Sequence, residues 1–215
     1  MNQPLRIALS KGRILEQTLP LFEAIGVTLQ PGELESRKLI LQTLDQQVQF
    51  IIIRATDVPT YVEYGAADMG VVGKDVLVEY GQSSFYELLD LNIARCKLMV
   101  ARLKSGQERS AGRPRVATKY VNIARDYFAR QGVQVELVKL YGSMELAPLV
   151  GLADYIVDLV ETGGTLRANG LEATETVLEV SSRLIVNKAA MKVRHQQLMA
   201  MVDRLTAQLN GRLAG

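Results

Sequence analysis

Strand-like and helix-like patterns alternate along almost the whole chain. No other feature constrains the fold as much, because strands that recur with helices between them pair in parallel and bury both faces of a sheet. Leu5 to Leu9 predicts a short strand. The spacing of Ile14, Leu15, Leu19, Phe22 and Ile25 predicts a helix from Ile14 to Ile25, closed by Gly26. Lys38 to Leu44 and Val48 to Arg54 read as strands, the second with an apolar run, Phe50 to Ile53, that suits cover on both faces. Thr56 or Asp57 caps a helix through Tyr64 that accommodates Pro59 in its first turn. Asp68 to Val72 predicts a strand, Gly73 to Tyr80 a helix, and Ile93 to Arg102 a long strand.

The pattern lapses over Leu103 to Pro114, which is polar and reads as a solvent-facing connection. It then restarts with strand Arg115 to Ala117, helix Asn122 to Gln131, strand Val135 to Leu140, a helix near Met144 to Val150, and strand Tyr155 to Val160. A second α/β lobe follows from that restart. Ser181 to Asn187 adds a strand and Lys188 to Leu209 one long helix, with the chain crossing back to the first lobe. The last helix repeats Met191, Leu198, Val202, Leu205 and Leu209, and His195 falls in the same stripe. Packing on the parent lobe is the expectation for that stripe, with His195 in a structural place.

Composition excludes several classes of function. Lys and Arg number 25 against 23 Asp and Glu, a net charge of +2, which gives no general attraction for nucleic acid or a membrane surface. Cys96, the single cysteine, cannot form an internal disulfide, and no Cys/His cluster exists to hold zinc. With one histidine, a multi-histidine metal site is excluded and a Ser-His-Asp triad would rest on His195 alone. The N-terminus lacks a signal-peptide pattern and no run of about 18 apolar residues occurs, so a cytoplasmic protein is expected.

Two segments carry chemistry. In Asp158 to Leu166 an apolar strand runs into Glu161 and then Thr162-Gly163-Gly164-Thr165 before a helix. Backbone N–H groups at such a turn, with the threonine hydroxyls and the positive helix end, suit a phosphate monoester. A purely structural tight bend uses the same glycines, so the residues alone leave both readings open. Ser10-Lys11-Gly12-Arg13 lies between the first strand and first helix without P-loop spacing. Its cations suit a polyphosphate, although Arg13 also reads as a solvated first-turn residue; a cation there opposes the helix dipole, which a bound anion would offset. Arg37 reads equally as surface charge. Arg54 ends an apolar strand at the sheet edge where open α/β folds bind ligands, and Asp75 follows a strand-to-helix turn at Gly70 to Gly73.

Taken together, Ala8 to Arg13, Arg54 to Pro59, Gly65 to Gly73, Tyr141 to Pro148 and Asp158 to Leu171 resemble the ATP phosphoribosyltransferase family, in order, from about Leu5 to Asn187. The chain is similar to its short form, since two lobes and a closing helix account for its length without a separate amino-acid-binding domain. The resemblance implies a two-lobed, periplasmic-binding-protein-like (type II) α/β fold with the active site in the interlobe cleft. Lobe I would be 1–95 plus 184–215 and lobe II 96–183. The implied reaction joins N1 of the adenine of ATP to C1 of phosphoribosyl pyrophosphate, releasing pyrophosphate and giving phosphoribosyl-ATP, the first step of histidine biosynthesis. Lys11, Arg13 and Arg37 would be catalytic at the pyrophosphate, with Arg37 reaching a neighbouring subunit's site. Asp158, Glu161, Thr162, Gly163, Gly164, Thr165 and Leu166 would bind phosphoribosyl pyrophosphate; the family loop has two adjacent acids, whereas Asp158 and Glu161 are separated here. Ser10, Gly12, Arg54, Asp75 and Glu145 would bind ATP or line the cleft. Mg²⁺ is implied, held mainly by substrate phosphates and with no protein ligands assigned. The implied partners are a second copy of the chain and a regulatory subunit resembling histidyl-tRNA synthetase, with no nucleic acid or membrane. A cytosolic two-lobed anion- or nucleotide-binding sensor without catalysis is the alternative.

Overall fold

The computed structural model describes residues 3–81, 84–105 and 112–213. The chain forms two compact units, Met1–Ala94 with Ser181–Gly215, and Arg95–Val180. It runs β1 (Leu5–Ser10), α1 (Arg13–Ala24), β2 (Ile40–Gln42), β3 (Val48–Ile53), α2 (Val58–Glu63), β4 (Met69–Gly73), α3 (Lys74–Tyr80) and β5 (Phe85–Asp90) in the first unit. The second unit holds β6 (Cys96–Leu103), β7 (Arg115–Thr118), α4 (Val121–Arg130), β8 (Glu136–Lys139), α5 (Leu146–Leu149), β9 (Tyr155–Val160), α6 (Gly164–Ala168) and β10 (Leu171–Val180). The chain returns to the first unit for β11 (Ser182–Asn187), α7 (Lys188–Val193) and α8 (His195–Leu213).

The first unit is a six-stranded sheet in the order β2-β3-β1-β4-β11-β5. β1 pairs in parallel with β3, Leu5 opposite Val48 through Ser10 opposite Ile53, and in parallel with β4 on its other side. Alternation along β1 sorts the core: Leu5, Ile7 and Leu9 face a cluster with Leu21 and Phe22 of α1 and Leu198, Val202 and Leu205 of α8. Ala8 faces the opposite side with Val58 and Val62 of α2 and Leu77 of α3. Burying one such large apolar side chain stabilises the fold by about 1.5–3 kcal/mol. Asn187 joins three elements here: its side chain accepts from the Ala190 N–H at 2.8 Å, capping α7, and donates to the Val62 and Glu63 carbonyls that end α2, at 2.7 and 3.1 Å.

The second unit is a five-stranded sheet, β10-β6-β9-β7-β8, in which β7, β8 and β9 are parallel. Ile123 and Ala124 of α4 pack with Val116 and Val157 on one face. Met144, Ala147 of α5 and Leu166 of α6 pack with Ala117 and Ile156 on the other.

Several expectations are corrected by the structure. The helix expected over Lys188 to Leu209 breaks at Arg194 (φ −121°, ψ 27°), whose guanidinium reaches Asp68 at 3.5 Å and the Pro4 carbonyl at 3.4 Å. His195 opens α8 outside the buried stripe of Leu198, Val202 and Leu205. β6 begins at Cys96 rather than Ile93, because Asn92 and Ala94 take left-handed backbone (φ 53° and 50°) that a strand cannot accommodate. β5 and β10 are strands the apolar pattern does not announce, since each is an edge strand with mixed polar residues. The return crossing lies at 180/181, because Ser182 and Arg183 already pair with Gly73 and Val72 of β4. Part of the polar connection, 106–111, lies outside the described residues.

Glu63, at the end of α2, accepts from the Tyr80 hydroxyl and from the Ser84 N–H at 2.9 Å. Those hydrogen bonds, the tyrosine's first, hold its carboxyl below the usual value of 4.5. A depressed folded-state pKa contributes stability that is present above the unfolded value and lost as pH falls through the folded one. The melting temperature should therefore drop below about pH 4.3 more steeply in the wild type than in Glu63→Gln, as thermal denaturation from pH 7 to 3 would show; parallel curves would remove the link.

Candidate active site

Parallel pairing brings the first group of polar residues to one edge. Because Ser10 lies opposite Ile53, Lys11 and Arg54 leave the sheet side by side at its carboxyl end. A pocket of about 420 Å³ opens there, lined by Ser10, Lys11, Leu39, Ile52, Ile53, Arg54 and Ala55. Its walls are aliphatic except at the buried Ser10 and the two cations, which suits a planar ring held next to an anion. Of the residues singled out from the sequence, Ser10, Lys11 and Arg54 share this pocket.

Gly12 and Arg13 follow at the start of α1. Gly12 stands at the N-cap with φ 83° and no side-chain cap, so the first-turn N–H groups of α1 are left to other acceptors. Arg13 is half-buried and its Nη2 donates to the Ala94 carbonyl at 3.3 Å. Arg37 is exposed in the link before β2, two positions before the pocket residue Leu39. Asp75 is placed differently from an open wall residue: it is buried in the first turn of α3, and its Oδ1 lies where a Cβ on Gly73 would come within 2.1 Å of it. Only glycine at 73 leaves room for that carboxylate.

In the second unit, Asp158 is half-buried on β9 opposite Met99, and Glu161, Thr162, Gly164 and Thr165 are exposed beyond the strand's carboxyl end. Gly163 turns the chain into α6 with left-handed backbone, φ 71° and ψ 12°. The Arg167 N–H donates to the Gly163 carbonyl, so the amides of Gly164, Thr165 and Leu166 precede the first helical bond and have no intrahelical acceptor. Thr162 Oγ1 accepts from the Gly164 N–H at 3.4 Å. The Leu166 side chain is buried with Met144 and Ile156, so only its backbone N–H can serve a ligand. Glu145 is half-buried just before α5, in the loop that follows β8 and next in sequence to Met144 of that same cluster.

Two residues of this turn are not legible as functional from the sequence. Arg167 Nη1 donates to the Thr162 carbonyl at 2.9 Å and lies 3.0 Å from where a Gly163 Cβ would stand. Asn169 Nδ2 donates to the Thr165 carbonyl at 2.9 Å. Both brace the turn from its helical side, and the four-residue spacing of Asn169 from Thr165 is the only trace of this in the sequence.

With this geometry established, similarity to known proteins becomes decisive. Residues 54–207 match the family model described as ATP phosphoribosyltransferase. The chain belongs to the ATP phosphoribosyltransferase family. It is 58% identical over 215 residues, all of both chains, to the ATP phosphoribosyltransferase of Alcanivorax borkumensis. Among solved structures it is similar to the ATP phosphoribosyl transferase (HisG:HisZ) complex from Thermotoga maritima, with TM-score 0.82, 29% identity, and 96% of this chain and 99% of that one covered. The periplasmic aliphatic sulphonate binding protein SsuA from Escherichia coli shares the fold, with TM-score 0.61 at 10% identity over 97% of this chain and 73% of that one. The fold is thus the periplasmic-binding-protein type, and within it this chain is a phosphoribosyltransferase-family enzyme; the reading as a binding protein without catalysis is not favoured.

Gly163→Val would force a β-branched residue into left-handed backbone and press on Arg167. Calorimetric titration should show phosphoribosyl pyrophosphate binding weakened by at least about tenfold, a loss of about 1.4 kcal/mol, with ATP binding nearly unchanged. Equal loss for both substrates in a folded variant would count against assigning the turn to the 5-phosphate.

Proposed function

We propose that this chain joins N1 of the ATP adenine to C1 of phosphoribosyl pyrophosphate, releasing pyrophosphate and forming phosphoribosyl-ATP at the start of histidine biosynthesis. The observation that carries the site assignment is the exposed Thr162–Thr165 turn, with amides that precede the first helical bond, inside the stretch matched to the family. In this reading those amides and hydroxyls take the 5-phosphate, and Asp158 accepts from ribose hydroxyls. Glu161 is a second, more peripheral acceptor. The aliphatic pocket beside Ser10, Lys11 and Arg54 supports a place for the purine of ATP next to its phosphates, with Gly12 presenting backbone to them. Glu145 contributes to the walls rather than to the chemistry, and the buried Asp75 shapes the turn at Gly73 rather than lining the site.

The adenine N1 lone pair is free at neutral pH, so attack at C1 needs no strong base. As the N1–C1 bond forms, the C1–O bond breaks and its electron pair leaves with pyrophosphate. Lys11, Arg13 and Arg37 are the cations proposed to receive that charge, and a preorganised group of this kind is worth about 2.7–4 kcal/mol of barrier. The reaction uses a metal ion, and Mg²⁺ fits the hard oxygen donors at hand. Among the described residues no group of three or more His, Cys, Asp or Glu is arranged to hold an ion. Mg²⁺ commonly binds through one or two carboxylates plus substrate phosphates, so Asp158 and Glu161 are the donors this chain would add. When bound, the ion offsets charge on the leaving pyrophosphate.

A homodimer is proposed as the working unit, with Arg37 reaching the neighbouring site. The similarity to a solved HisG:HisZ complex supports assembly with a regulatory subunit of the histidyl-tRNA-synthetase type. Among the described residues no helix is long and apolar enough to cross a membrane, and a cytoplasmic location is proposed.

Purified protein given ATP, phosphoribosyl pyrophosphate and Mg²⁺ should release pyrophosphate and form the N1-ribosylated nucleotide; absence of both products would overturn the reading. In single-turnover measurements Arg13→Ala and Arg37→Ala should each slow the chemical step by about 10²- to 10³-fold while substrate affinity changes far less. Normal chemistry with only a raised KM would reassign the residue to uniform binding. Histidine should hardly affect the isolated chain and should inhibit it once the partner is added. Strong inhibition of the isolated chain by micromolar histidine would place the effector site in this chain instead.

A further inference from the structure

The loop that carries Arg37 is tied together by a buried acid. Glu33 is only 5% exposed although the turn around it, 31–35, is otherwise open to solvent. One carboxylate oxygen, Oε1, accepts from Lys38 Nζ at 2.8 Å, and the other, Oε2, accepts from the Gln42 N–H of β2 at 2.9 Å. The Glu33 carbonyl accepts from Ser36 Oγ at 2.7 Å and from the Ser36 N–H at 3.3 Å. Ser36 Oγ in turn accepts from the Lys38 N–H at 3.3 Å. Both neighbours of Arg37 are therefore bound to one residue, and that residue is anchored to β2. Leu39, the next residue along, has its carbonyl fixed by the Ile52 N–H at 2.8 Å and lines the pocket beside Lys11 and Arg54.

We infer that Glu33 is a positioning residue for the transfer reaction, holding the backbone from Ser36 to Lys38 so that Arg37 is presented in one place to the pyrophosphate that leaves. The inference rests on the reading of Arg37 as a group that meets pyrophosphate. The physical logic is preorganisation. A long arginine on a loose link loses both rotamer and backbone freedom when it binds, whereas one on a fixed link has the backbone part of that loss already met by folding. Displacing such a group by about 1 Å can cost about 100-fold in rate. An acid suits this position because one carboxylate has lone pairs for a cation on one oxygen and a backbone N–H on the other, and both its donors favour the charged form. Those two donors, Lys38 first and the Gln42 N–H second, hold the Glu33 carboxyl below the ordinary carboxylate value, so the tie is intact at neutral pH.

The test is a double-mutant cycle of Glu33→Gln and Arg37→Ala, read by single-turnover chemistry with ATP, phosphoribosyl pyrophosphate and Mg²⁺, by KM, and by melting temperature. Glu33→Gln alone should slow the chemical step by about 10- to 100-fold with KM within about twofold of wild type. In the Arg37→Ala background the same substitution should slow it by less than about twofold, because the group it positions is gone. Lys38→Met, at a side chain 64% exposed where substitution leaves the core untouched, should give a smaller deficit that also vanishes without Arg37. If Glu33→Gln does not fold, this second cycle decides alone. Rate losses that multiply in the double variant would show a purely structural acid and overturn the proposal, as would a Glu33→Gln enzyme with normal chemistry. Arg37→Ala with an unchanged chemical step would instead remove the reading of Arg37, and the proposal with it.

Discussion

Parallel pairing of β1 with β3 and β4 is the constraint on which the rest of the first unit depends. Strands that run the same way must end at the same edge, so whatever residues follow them are gathered there without any contact of their own. The register of Ser10 against Ile53 is what sets Lys11 beside Arg54. A slip of one residue would turn Leu5, Ile7 and Leu9 away from α1 and α8, and the apolar clusters on both faces forbid it. The site is therefore positioned by the same packing that stabilises the sheet. The second unit repeats the device: β7, β8 and β9 are parallel, and the segments holding Glu145 and Thr162 to Thr165 both follow their carboxyl ends.

The two units present different anion chemistry at those edges. The first offers side-chain cations, Lys11, Arg13, Arg37 and Arg54, whose long stems would adapt, in the proposed reaction, to a group that changes shape and charge. The second relies on backbone amides fixed by Gly163 and by the Arg167 and Asn169 braces, which suit a phosphate that only has to be held. In the proposed assignment a rigid cradle and adaptable cations match the unequal demands of a spectator phosphate and a leaving pyrophosphate. The buried Glu33 narrows that contrast for one cation by fixing the backbone on either side of it.

Much of this is legible in the sequence where local pattern and tertiary environment agree. Leu5 to Leu9, the Phe50 to Ile53 run and Tyr155 to Val160 are central strands, covered by helices, and their apolar content says so. Phe85 to Asp90 and Leu171 to Val180 are edge strands with one wet side, and Glu87, Glu172 and Glu175 mask their period. The break at Arg194 is set by Asp68, far away in sequence, which no local pattern encodes. Side-chain direction is legible least. Leu166 and Asp75 sit in segments that the sequence singles out, yet the first points into the core and the second folds back over Gly73. His195 differs the other way: it keeps its spacing to Leu198 and Val202 but is exposed, because it stands at the first residue of α8. Arg167 and Glu33 act through hydrogen bonds to backbone carbonyls and amides, and such bonds leave almost no signature in residue type.

The end of the first unit shows how the site and the fold share their supports. Ala94 holds left-handed backbone, φ 50°, a conformation that costs a non-glycine residue of order 1–3 kcal/mol. It persists because α1 grips it from both sides: Ala94 donates its N–H to Gln17 Oε1 at 2.7 Å, and its carbonyl accepts from Arg13 Nη2 at 3.3 Å. One hydrogen bond of this kind contributes about 0.5–1.5 kcal/mol net, and one from a charged donor about 1.5–3, so the pair is of the size needed to offset the strain. Ala94 is also the last residue before the chain passes to the second unit. The helix that begins at Arg13 thus holds the backbone at that boundary with the same arginine that stands at the carboxyl edge of β1. The cation at a helix start, unfavourable for the helix itself, is accounted for by what it grips as well as by the anion it is proposed to meet.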